Sequence, residues 1–139
     1  MLSHKAIASF TNYDLIDNHN QVIYPWHCQR FSNNDEVYKT FLNYNTINGC
    51  TVIFKKELVD LVGDFNPYFR YTHDYEMWYR ILVNGYKIHY LDEVLTKFRI
   101  HEQSGTNKHK PDMLKEITII EGSYRHKLID YLKNTGLLS

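Results

Sequence analysis

Thr72-His73-Asp74-Tyr75-Glu76-Met77-Trp78-Tyr79-Arg80, with Asn84-Gly85-Tyr86-Lys87-Ile88 just beyond it, organises the whole chain. It reads as a helix that begins with acid and ends on glycine. Thr72 or His73 supplies the cap, Asp74 and Glu76 load the first turn with negative charge, and Gly85 stands where a left-handed residue stops a helix. Trp78, Ile81 and Leu82 form the apolar face. Asp74 lies one turn before Trp78, so its carboxylate sits at the edge of the buried side, beside aromatic rings. An acid held there is a candidate general base. The alternative is a carboxylate that only complements the helix dipole.

Outward from this helix the chain alternates strands and helices, with no repeat and no low-complexity tract. Residues 6–10 read as a short apolar strand, and Asp17-Asn18-His19-Asn20 as a turn leading to an extended piece through Val22-Ile23-Tyr24. Asn34-Asp35-Glu36 opens a helix with Val37, Phe41 and Leu42 inward. Residues 50–54 read as a buried strand, the centre of a mixed sheet, and residues 56–62 as a short helix stopped by Gly63. Two strands, residues 86–91 and 94–100, follow the Asp74 helix. Pro111 then opens a long helix whose Met113, Ile117, Ile120, Tyr124 and Leu128 recur at helical spacing, a packing stripe rather than a ligand site.

Composition narrows the function. The 139 residues fit one core, and 16 Lys plus Arg balance 16 Asp plus Glu, so no global field favours nucleic acid or an anionic membrane. Aromatic residues reach 15%, twelve of them tyrosine, which suits a sugar-handling surface but equally suits ordinary core packing. Cys28 and Cys50 form no metal pattern, and the histidines at 4, 19, 27, 73, 89, 109 and 126 show no ligand pairing. No stretch is long and apolar enough to span a bilayer, and the expectation is a soluble, cytoplasmic protein.

The order of the segments carries more than any one of them. Asn48-Gly49-Cys50-Thr51-Val52-Ile53-Phe54, then Val62-Gly63-Asp64-Phe65, then His73-Asp74-Tyr75-Glu76, then Asn84-Gly85-Tyr86-Lys87, then Phe98-Arg99-Ile100-His101 resembles the C-terminal half of a family 2 glycosyltransferase domain. The resemblance covers residues 6–104 and implies an α/β protein with a partial GT-A fold, a mixed sheet and a long C-terminal helix. It divides the chain into residues 1–104, glycosyltransferase-like, and a helical extension over residues 105–139 packed on them. Asp74 matches the base that takes the proton of an acceptor hydroxyl, and the dipole of its helix is expected to keep it ionised. Asn48, Gly49 and Cys50 match a loop under the donor sugar and acceptor. Glu76 matches a second acidic position, although an exposed ion pair with Arg80 is the preferred reading. His101 matches a position that faces metal or diphosphate in some members.

The resemblance further implies a nucleotide-sugar donor, a hydroxyl acceptor and a divalent metal, manganese or magnesium, for the complete enzyme. The Asp-x-Asp metal motif of the donor half is not found; Asp14-x-x-Asp17 has the wrong spacing. The chain therefore reads as starting where the donor half ends. No metal is expected to bind tightly to it alone, and the uncovered sheet should favour a homo-oligomer. A non-catalytic interaction module that keeps the fold is the alternative.

Overall fold

Strand β1, Ala6–Ile16, is the element around which the others assemble, and the computed structural model describes residues 6–139. Residues 1–5, including His4, lie outside the described residues. Nearly every side chain of β1 is buried, on both faces, as a strand flanked on both sides requires. Strand β4, Lys87–Arg99, runs parallel to it along one side. Two short strands share the other side, both antiparallel: β2, Val22–Tyr24, against Leu15 and Ile16, and β3, Ile53–Phe54, against Ala8 and Ser9. The sheet is mixed, as expected, but its centre is different. The apolar run at residues 50–54 is not a buried central strand: Gly49–Thr51 forms a single 3-10 turn, and Ile53 (71% exposed) lies on the sheet margin.

The two strands expected at residues 86–91 and 94–100 are one. Their pairing with β1 slips between Leu91 and Val94, so Asp92 and Glu93 form an irregularity within a continuous strand. Asp92 accepts hydrogen bonds there from Arg30 and from the Tyr90 hydroxyl. The turn before β2 forms as read: Asp17 Oδ1 accepts from the backbone N–H of His19 (2.8 Å) and Gln21 (2.9 Å), and Asn20 takes a left-handed conformation.

Helix α1, Asn34–Phe41, is capped by the Asn33 side chain, which accepts from the Glu36 N–H. The short α2, Leu58–Val62, stops at Gly63. Helix α3, His73–Val83, is buried almost all round, sandwiched between the sheet side and the long α5, Lys110–Asn134. Its end is a Schellman motif: Tyr86 N–H donates to Ile81 O, Gly85 N–H to Leu82 O, and Gly85 has φ +79°. A short turn of helix, α4 (Gly105–Lys108), leads into α5. Ile120, Leu128 and Leu132 of α5 are fully buried against α3, with Ile117 and Tyr124 half-buried beside them. No helix of the described residues is long and apolar enough to cross a membrane.

Glu76 is not the surface acid that its spacing suggested. It is 2% exposed, paired with Arg80 at 2.9 Å, and accepts a hydrogen bond from the Tyr124 hydroxyl of α5 at 2.7 Å. Arg80 in turn donates to Val62 O (2.6 Å) and Asp64 O (2.7 Å). Glu76→Ala strips the counter-charge from a guanidinium confined by the fold, and breaking such a pair costs about 3–5 kcal/mol. Equilibrium denaturation of the variant measures it; a loss below about 1 kcal/mol would show the network to be dispensable.

Candidate functional site

Asp74 enters the structure as the second residue of α3, and the chain before it is held from outside the helix. Thr72 occupies the cap position without capping: its hydroxyl donates to Glu116 of α5 at 2.6 Å. The Glu116 carboxylate also accepts the backbone N–H groups of Arg70 (2.9 Å) and Tyr71 (3.0 Å). Three donors on one carboxylate pin the loop that delivers Asp74. The Tyr71 ring stacks on His109 at 4.5 Å, tying the same loop to the start of α5.

The Asp74 carboxylate accepts the Tyr75 N–H on Oδ1 at 2.8 Å. Its Oδ2 lies against Gly49, 2.8 Å from where a Cβ on that glycine would stand. Glycine is needed there by that approach, since any side chain would push the carboxylate aside. Asn48 shapes the turn: its side-chain oxygen accepts the Cys50 N–H at 2.9 Å, and its carbonyl accepts the Thr51 hydroxyl at 2.8 Å. The Cys50 thiol is exposed and free.

These four residues, Asn48, Gly49, Cys50 and Asp74, line one open cleft of about 580 Å³. Tyr13 of β1, Phe98 of β4, Trp78 of α3 and Met113 and Ile117 of α5 complete its walls, with Phe65, Tyr71 and His73 from the chain entering α3. The sequence reading missed most of these walls. Only the surplus of aromatic residues hints at them, and the spacing of Trp78 places it on the apolar face of its helix. Glu116, mid-helix on α5, carried no signal at all, because its partners lie some 45 positions away. His101 is not brought to Asp74. It lines a separate hollow with Asp17, His19, Glu102 and Asn107, which shares no residue with the cleft. Glu76 points away from the cleft, into its pair with Arg80. Among the described residues no three His, Cys, Asp or Glu side chains converge on a point that would hold a metal.

Burial raises the Asp74 pKa above 3.8, outweighing the Tyr75 N–H and the nearby His73, which pull it down. Desolvation by burial therefore outweighs the hydrogen bond and the charge that stabilise the carboxylate, and the acid is a stronger base than a free aspartate. Cys28, half-buried and donating its thiol to Thr46 O, has that thiol pushed up to about 11 by burial. Tyr13 is raised by burial as well, opposed by a hydrogen bond with Asn48.

No family model matches this chain. It is 32% identical over 110 residues to an uncharacterized glycosyltransferase of Rickettsia typhi, covering 76% of this chain and 34% of that protein. An uncharacterized glycosyltransferase of Rickettsia prowazekii gives 32% over 111 residues with the same shares. One from Rickettsia felis is 29% identical over 84 residues, 60% of this chain and 14% of its own length. The chain thus spans about a third of the length of the first two curated relatives it matches.

The raised Asp74 carboxyl makes a stability prediction with a definite sign. Below its unfolded value of 3.8 both folded and unfolded states hold the proton and no penalty exists. As pH rises through the higher folded value, the native state must carry a desolvated charge, and stability is lost. Asp74→Asn removes that term and keeps an acceptor for the Tyr75 N–H. Thermal melts should therefore coincide for parent and variant near pH 3 and show the variant more stable at pH 7. A variant that melts lower at pH 7 would mean that Asp74 stabilises the helix start instead.

Proposed function

We propose that this chain carries the acceptor side of a family 2-type glycosyltransferase with a partial GT-A fold, and that Asp74 is its general base. One observation carries the reading: the Asp74 carboxylate faces an open cleft, with its basicity raised by burial and no side chain donating to it among the described residues. Relatives named glycosyltransferases support the same class. In this reading an acceptor hydroxyl lies against Asp74 and gives up its proton as its oxygen attacks the anomeric carbon of a nucleotide sugar. A new glycosidic C–O bond forms while the bond to the diphosphate breaks, and the nucleoside diphosphate departs with that electron pair. Asn48, Gly49 and Cys50 shape the floor on which the acceptor and donor sugar meet.

No lysine or arginine lines the cleft among the described residues, so the donor diphosphate is neutralised outside it. A divalent metal belongs to that donor side in our reading. Asp74 and His73 alone do not fit one, and no step here runs through it. The work is cytoplasmic, where nucleotide sugars are the donors. We extend the reading to self-association, since Val22, Ile23, Tyr24 and Ile53 are exposed along the β2 and β3 margin of the sheet. A non-catalytic module would instead be favoured by an Asp74 locked in an ion pair. No salt bridge to Asp74 occurs among the described residues, and Arg80, on the same helix, is paired with Glu76.

Joined to a donor-binding half that restores sugar transfer, the chain should lose on the order of a hundredfold or more in turnover on Asp74→Asn, because the amide accepts no proton. Product formation from a labelled nucleotide sugar measures this, with circular dichroism confirming the fold. Full activity in the variant would overturn the assignment.

A further inference from the structure

The charge inventory of the cleft says what kind of acceptor it takes. Among the described residues, Asp74 and His73 are the only Asp, Glu, His, Lys or Arg side chains that line it, and the His73 ring is engaged edge-on with Phe65 at 5.4 Å. The remaining polar side chains are of neutral types, among them the amides of Asn45 and Asn48 and the hydroxyls of Thr46, Thr72, Tyr13 and Tyr71. Thr46 and Trp78 each keep a buried polar atom without a protein partner, a hydroxyl and an indole N–H. Neutral donors and acceptors set among aromatic rings complement a sugar, whose hydroxyls want hydrogen bonds and whose C–H faces pack on rings.

An anionic substituent finds the opposite. It would be desolvated against Phe65, Trp78 and Phe98 and would face the Asp74 carboxylate, and among the described residues no lysine or arginine lines the cleft to offset either cost, His73 being the one basic side chain there. One cation touches a lining ring: Arg70, whose guanidinium sits 5.6 Å from the Tyr71 ring centre. Arg70 itself is exposed and does not line the cleft, so water screens it from a group inside. We propose that the acceptor residue seated beside Asp74 is an uncharged sugar, and that the cleft selects against acceptors carrying a uronate, sialate or phosphate at that position. The proposal rests on the reading of this cleft as the acceptor side.

Titrating the isotope-labelled chain by NMR with neutral trisaccharides (maltotriose and chitotriose) and with trigalacturonate tests it. Neutral ligands should shift the amides of Gly49, Cys50 and Asp74 and the Trp78 indole N–H. The uronate should bind the same place at least about tenfold more weakly at low ionic strength, as expected for like charges close together at intermediate dielectric. Asp74→Asn should narrow that gap by removing the repelling charge. Uronate binding as tight as or tighter than the neutral sugars, at the same residues, overturns the proposal and leaves the acceptor-side reading standing. Shifts that map away from Asp74, or no binding by any of the three, sink that reading together with the proposal built on it.

Discussion

The buried pair of Glu76 and Arg80 is the interaction on which the rest of this structure depends. Two charges removed from water are tolerated only when their remaining hydrogen-bonding capacity is filled. Here Glu76 takes Arg80 and the Tyr124 hydroxyl, while Arg80 donates one N–H from each terminal nitrogen to the carbonyls of Val62 and Asp64. The pair thereby joins three segments: the turn after α2, helix α3, and the middle of α5. Gly63 belongs to the same unit. Its φ of +89° suits glycine, and a Cβ there would come within 3.1 Å of an Arg80 nitrogen. What reads along the chain as two separate motifs, Val62-Gly63-Asp64 and Glu76 to Arg80, is one polar cluster.

That cluster also explains why two acids in one helical turn have different fates. Residues two apart on an α-helix point about 200° from one another. With Glu76 fixed toward α5 and the turn, Asp74 must face the other way, into the cleft and against Gly49. One carboxylate is consumed by the fold, and the other is left with only a backbone partner. The first is a brace, and the second is left facing the cleft.

Local signals were legible wherever the chain solves a local problem. Gly85 ends α3, Asp17 turns the chain, Pro111 opens α5, and the stripe through Ile120 and Leu128 packs as its spacing implies. Long-range choices were not legible. An apolar run such as residues 50–54 suits a central strand or a margin equally. The centre went to β1 because its polar residues find distant partners: Asn12 donates to Cys28 O and accepts the Cys28 N–H. Asp92-Glu93 resembled a break between strands because charged residues usually mark a turn. The partner that holds Asp92 within the strand, Arg30, is remote in sequence. For the site, the residue types at 48–50 and 74 were readable. The burial of Glu76 and the separation of His101 depended on packing that no spacing reveals.

The C-terminal helix is then more than a cover for α3. Met113 and Ile117 form part of the cleft wall, and Glu116 on the same turns of α5 holds the Arg70 and Tyr71 amides together with the Thr72 hydroxyl. The position of Asp74 is set at one end by the Glu76 cluster and at the other by this clamp. Burial strengthens the acid as a base only while both ends hold, because a loop that swung open would return the carboxylate to water and its ordinary acidity. The segment after residue 104 therefore shapes the cleft and the burial of Asp74 as much as it covers the fold.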